Sequence, residues 1–230
     1  RPLDGPAPGQ APGAVPAAGV APDEGALRDA LDAARAAVDA LPAASERAPG
    51  TTLTAVLLVE GPALLVAHVG DSRAYRLAGG SDAGPGTGLE RLTTDHTLVA
   101  ELVRAGLLTP EEARHDPRRH VVTRALGAGE PAVRHGDDVR RVPAAAGDRL
   151  LLCSDGLTDE LDDAALAAVL REEADPRRAA ERLVALALDA GGRDNATALV
   201  ADLVASSRTA PAAPAAAADP APGSGAGPLA

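Results

Sequence analysis

Gly147-Asp148-Arg149-Leu150-Leu151-Leu152-Cys153-Ser154-Asp155-Gly156-Leu157-Thr158 is a tight apolar run stopped by Ser-Asp-Gly. Four consecutive apolar side chains between turn residues read as a strand buried on both faces, here Arg149–Ser154, that ends on a carboxylate. Two further Asp residues stand next to or near a Gly: Asp71 in Gly70-Asp71-Ser72-Arg73 and Asp194 in Gly192-Arg193-Asp194-Asn195. Carboxylates at strand ends can project into one crevice, where hard cations such as Mg²⁺ or Mn²⁺ take oxygen ligands. Taken singly, each also fits an ordinary turn, since Asp-Gly and Asp-Asn are common turn pairs.

Outward from this run, Thr52–Val59 and Ala63–Val69 are apolar stretches separated by Glu60-Gly61-Pro62, the spacing of a hairpin. Ser72–Leu77 continues as a third strand after a sharp feature at Gly70-Asp71, and the Gly-rich Ala78–Gly88 makes a loop before Leu89–Leu92. Val121–Leu126, Asp138–Val142 and Asn195–Leu203 read as further strands. Apolar residues at helical spacing predict a helix over Glu24–Leu41, and others over Thr97–Ala105, from Pro110, over Asp163–Arg171 and over Asp175–Asp189. The order suggests an α+β architecture of sheets covered by helices, because the early connections are too short for parallel crossovers.

The chain has 230 residues, 46% of them hydrophobic, which suffices for one sizeable core. Ala, Leu and Val supply nearly all of that content; Phe, Trp and Met are absent and Tyr75 is the single Tyr. Residues 1–24 and 205–230 are dense in Pro, Gly and Ala and read as irregular ends around a folded unit over 25–204. Arg1 is not Met, and the chain reads as a fragment. The net charge of −11 argues against nucleic acid and anionic membrane as partners. Cys153 is the single cysteine, so no internal disulfide or Cys-rich zinc site can form, and a reducing, cytoplasmic setting is the expectation. No apolar run approaches the roughly 18 residues of a membrane span, and no signal peptide is evident.

Several separated pieces resemble one family, the type 2C (PPM-type) metal-dependent protein serine/threonine phosphatases of bacteria. They are Gly50-Thr51-Thr52, Val66 to Tyr75, Leu92-Thr93-Thr94-Asp95-His96-Thr97, Leu108 to Ala113, Thr123-Arg124-Ala125-Leu126-Gly127, the Gly147–Thr158 run, and Gly192 to Thr197. The resemblance implies a sandwich of two antiparallel sheets between helices (α-β-β-α), lacking the first strands. It assigns Asp155 and Asp194 to the catalytic metals, Mn²⁺ or Mg²⁺, and Asp71 to a third metal position, and places a flap between His96 and His120 beside the cleft. It implies hydrolysis of phosphoserine and phosphothreonine on proteins by metal-activated water, in opposition to Ser/Thr kinases.

The departure is at the front, where the family carries Asp-Gly-x-Gly-Gly. Here Asp4-Gly5-Pro6-Ala7-Pro8-Gly9 stands in that region, so Asp4 and Gly5 are the ligands the resemblance would assign. Ala7 and Pro8 replace the two Gly, and prolines at 6, 8, 12 and 16 oppose the helix that should follow. A catalytically silent, phosphatase-like binding module is therefore the alternative. Arg73 is read as an ion-pair partner near the cleft, His68 as a packed strand residue, Asp95 and His96 as a cap for the helix near Thr97, and Cys153 as buried rather than nucleophilic. A Ser esterase built on Gly70-Asp71-Ser72 is disfavoured because no His follows His135 to complete a late Asp-x-x-His pair.

Overall fold

The computed structural model describes residues 23–42, 48–79, 88–127 and 139–205. The chain opens with α1 (Glu24–Asp39), whose first turn is closed by the Asp23 carboxylate accepting from the Ala26 amide at 2.8 Å. After the short β1 (Gly50–Thr51), β2 (Leu53–Val59) and β3 (Ala63–Val69) form the expected hairpin, antiparallel with Val56 opposite Val66. Then come β4 (Arg73–Leu77), β5 (Leu89–Arg91), α2 (Leu98–Arg104), α3 (Pro110–His115), β6 (Leu126–Gly127) and β7 (Val139–Pro143). The last part holds β8 (Arg149–Cys153), α4 (Asp155–Thr158), α5 (Asp163–Glu172), α6 (Pro176–Ala190) and β9 (Ala198–Asp202).

The strands form a three-stranded sheet, β2-β3-β7, a four-stranded sheet, β5-β4-β8-β9, and a small β1-β6 pair, all antiparallel. The layering follows from side-chain alternation along each strand. On β3, Leu64 and Val66 meet Ala74 of β4 and Leu150 of β8, so the two sheets face each other across an aliphatic core. Leu65, Ala67 and Val69 point the other way, against Leu27 and Leu31 of α1. Tyr75 and Leu77 of β4 with Leu151 and Cys153 of β8 meet Leu166 and Leu170 of α5 and Leu183 of α6. That is an α-β-β-α sandwich, and burial on both faces is why these strands read as continuous apolar runs rather than alternating ones. With no Phe or Trp, the core rests on many aliphatic burials of roughly 1.5–3 kcal/mol each.

One local reading is corrected. The stretch Val121–Leu126 is not a strand: only Leu126–Gly127 belongs to one, and Val121 and Val122 are 47% and 38% exposed, with Val122 making an isolated bridge to Thr97. Their apolarity signals strand from sequence, but among the described residues no neighbouring strand lies alongside to pair with them continuously. The expected third strand after Gly70-Asp71 is β4, and the turn carries the chain across the sandwich into the other sheet. Asp155-Gly156 stops β8 as expected and begins the single helical turn α4. The expectations at residues 1–22 and 206–230, most of the Gly-rich loop (80–87), and Asp138 lie outside the described residues.

Candidate metal centre

Asp71 follows a turn that only glycine can make. Gly70 has φ 115°, and a Cβ there would fall 2.4 Å from Thr52 Cγ2. Its amide donates to His96 Nδ1 at 3.1 Å and its carbonyl accepts from the His96 amide at 2.8 Å. The turn at the end of β3 is thereby pinned to the segment that opens the flap.

Asp155 is held from the opposite sheet. It is the first residue of α4, directly after β8 and Ser154. The Ser154 hydroxyl donates to the Asn195 carbonyl at 3.1 Å and accepts from the Thr197 amide at 2.9 Å, while the Ser154 amide donates to the Thr197 carbonyl at 3.1 Å. These three bonds strap the Asp194 loop onto the start of α4. Gly156 permits the approach, since a Cβ on it would lie 2.6 Å from the Asn195 carbonyl oxygen. Arg193 adds a forked pair with Glu160, Nε to Oε1 at 2.8 Å and Nη2 to Oε2 at 2.9 Å.

Asp71 and Asp155 line one cleft of about 960 Å³, walled on its far side by α2, α3 and residues 119–120. Asp194 is exposed just beyond that lining, next to Arg193, which is part of it. Asp4 and Gly5 lie outside the described residues. Two residues that motif reasoning passed over join the cleft, Asp159 and His120. Asp159 sits one helical turn after Asp155, its amide donating to the Asp155 carbonyl at 2.8 Å, and His120 Nδ1 lies 3.4 Å from Asp159 Oδ2. Potential ligand atoms of His120, Asp155 and Asp159 all fall within 4.8 Å of one another. The i, i+4 spacing of Asp155 and Asp159 was a usable signal once that turn is known to be helical; nothing local marks His120.

Burial, then the charge of Asp155, raises the Asp71 carboxyl above its ordinary value of 3.8. Asp159 is raised too, chiefly by burial and further by Asp155, with His120 acting against. Carboxylates crowded in this way gain from a shared divalent cation, and the oxygen donors with one imidazole fit such an ion.

Behind these groups, Arg73 clamps Asp95 with Nε at 3.1 Å from each oxygen and Nη2 at 2.7 Å from Oδ2, and Arg91 donates to the same carboxylate. The expected ion pair at Arg73 is therefore with Asp95. Nη1 of Arg73 also donates to the Tyr75 hydroxyl at 3.3 Å, which donates to Asp163 at 3.3 Å. With Asp95 so engaged, the flap helix is capped by Thr97, whose hydroxyl accepts from the Ala100 amide at 3.3 Å, which corrects the assignment of the cap to Asp95 and His96. His68 is packed as expected: Nε2 lies 3.1 Å from the Thr94 carbonyl and Nδ1 2.9 Å from the Thr54 hydroxyl, which donates to the Ser72 carbonyl at 3.1 Å, and burial lowers the pKa of the ring. The Cys153 thiol is buried and pushed up to about 12, which removes it as a nucleophile.

The protein phosphatase 2C model matches residues 17–196. The serine/threonine protein phosphatase PstP of Mycobacterium tuberculosis is 42% identical over 186 residues, 78% of this chain and 34% of PstP. The serine/threonine phosphatase stp of Listeria innocua is 37% identical over 154 residues, 66% of this chain and 56% of its own length. The chain thus spans a third to a little over half of these relatives. A crystal structure of the catalytic domain of PstP in complex with two manganese ions superposes with a TM-score of 0.61 at 38% identity, covering 79% of this chain and 70% of that one. With the family model spanning most of the folded sandwich and its cleft, the chain belongs to the protein phosphatase 2C family.

Proposed function

We propose that this chain hydrolyses phosphoserine and phosphothreonine on proteins, with Mn²⁺ or Mg²⁺ held by Asp155, Asp159 and Asp71 and by Asp194 from the strapped loop. The observation that carries the reading is the convergence of Asp71, Asp155 and Asp159, from both sheets, on one open cleft. Divalent ions bound there would supply a water acidified toward neutral pH and would offset charge on the phosphoryl oxygens. Ser154 and Gly156 fix the spacing between Asp155 and the Asp194 loop. Arg73 and Arg91 neutralise Asp95, so the floor of the cleft adds no uncompensated negative charge. Six arginines and five aspartates line the cleft of a chain whose net charge is −11, so the approach to the carboxylates is locally more favourable to a phosphate than the protein as a whole.

Phosphoproteins, including those modified by Ser/Thr kinases, are the proposed partners, and a reducing cytoplasm is the proposed setting. No helix among the described residues is long and apolar enough to cross a membrane. The test is Mn²⁺-dependent release of phosphate from a phosphothreonine peptide, with a chelator and Asp155→Asn as controls. Release abolished by both supports turnover; a folded chain that releases nothing overturns it. A silent binding module is favoured by one observation, Ala7 and Pro8 at the family's Gly pair, and predicts phosphopeptide binding without release.

A further inference from the structure

We propose that His120 is a metal ligand together with Asp155 and Asp159, forming a nitrogen-containing site for a transition-metal ion that latches the base of the flap to α4. The inference rests on the metal-dependent reading of the cleft and adds a ligand to it.

Two atoms bound to one ion at about 2.1 Å lie about 3–3.5 Å apart, for angles between octahedral and tetrahedral. The 3.4 Å from His120 Nδ1 to Asp159 Oδ2 falls in that range, and the Asp155 carboxylate is within 4.8 Å of both. The same distance also suits a plain ion pair. Position separates the two readings: an ion pair needs only Asp159, whereas His120 also faces Asp155, a carboxylate already placed among the metal ligands.

The chain around His120 is built to hold it there. The Asp116 carboxylate accepts from the Arg118 amide at 2.8 Å and pairs with its guanidinium, and the Val121 amide donates to the Arg118 carbonyl at 3.0 Å. The flap is closed at its base by the Leu98 amide donating to the Val121 carbonyl and the Thr123 amide to the His96 carbonyl, both at 2.8 Å. His120 is therefore next to the closure rather than at a loop tip. Bringing it into a shared coordination sphere would fix the flap's base against the wall that carries Asp155.

The consequence is selectivity. Mg²⁺ prefers oxygen ligands and keeps its waters, whereas Co²⁺ and Zn²⁺ accept imidazole readily. Calorimetric titration of the full chain with Co²⁺, Zn²⁺ and Mg²⁺, comparing wild type with His120→Ala and His120→Asn, reads this directly. The expected result is a loss of Co²⁺ and Zn²⁺ affinity of roughly tenfold or more in both variants with Mg²⁺ binding unchanged, since even ligand-supporting groups count for 10–100-fold. Co²⁺ should also slow amide exchange over residues 98–120 in wild type and not in His120→Ala. Unchanged Co²⁺ affinity in His120→Asn, which retains a polar group but no imidazole, overturns the latch. If Asp155→Asn still abolishes Mg²⁺ binding in that case, the phosphatase reading stands without it; if Asp155→Asn leaves every titration unchanged, both fall.

Discussion

On one side of the cleft, Asp155 grows out of β8, where Leu151 and Cys153 are buried, and is followed by the buried Leu157 of α4. On the other side, α2 and α3 are closed by their own caps, Thr97 and the reciprocal Thr109–Glu112 box, and Leu107 between them is 71% exposed. The first wall takes its geometry from the core. The second takes it from local hydrogen bonds and one bridge at its base, Thr97 to Val122. Asp155 and Asp159 sit on the packed wall, whereas His120 sits on the wall held by fewer buried side chains, the kind of region whose local opening costs less than global unfolding.

Exchanging Asp155 for Asn is the largest test of this contrast. Phosphate release should fall by about 100-fold or more, the loss of roughly 3 kcal/mol of charge stabilisation. Without divalent ions the melting temperature should not fall and should rise, because the Asp155 charge crowds Asp71 and Asp159. A drop in stability would mean that Asp155 serves packing as well. Next, Leu151→Ala in the packed wall should cost about 2–5 kcal/mol by denaturant unfolding, against about 0.5 kcal/mol or less for Leu107→Ala in the flap. Equal costs would break the comparison.

Gly156→Ala is smaller and sharper. A methyl there meets the Asn195 carbonyl at 2.6 Å, so the Asp194 loop must shift, at a cost of about 1–3 kcal/mol. The Mn²⁺ affinity should weaken more than overall stability does. Smallest is Glu160→Gln. Its hydrogen bonds to Arg193 hold the Glu160 carboxyl below its ordinary value of 4.5, so the folded state gains from ionised Glu160 above that pH. The gain is lost as pH falls through the lower folded value, so the melting difference between wild type and Glu160→Gln should be full at neutral pH and vanish in acid. A difference that grows in acid would reverse the sign.

What sequence could show divides along the same line. Ala63–Val69 is a strand with the bounds read from its apolar run, and Pro110 with Thr109 and Glu112 announced α3, because both signals are local. The flap's base was misread at Val121–Leu126 because exposed valines look like strand residues until pairing is known. Asp71, Asp155 and Asp194 stood out through the glycines near them, of which Gly70 and Gly156 mark close approaches. His120 and Asp159 carry no such mark; they are 39 residues apart, and only the fold brings one against the other.

Tyr75 lies fully buried in β4, its hydroxyl between Arg73 and Asp163 and its pKa pushed up to about 12. Since the chain has no Trp and no other Tyr, all of its phenolic emission comes from this one ring beneath the cleft. The molecule thus carries a native fluorophore, without indole to drain its excited state, whose quenching by a paramagnetic ion would follow occupancy of the site with no label attached.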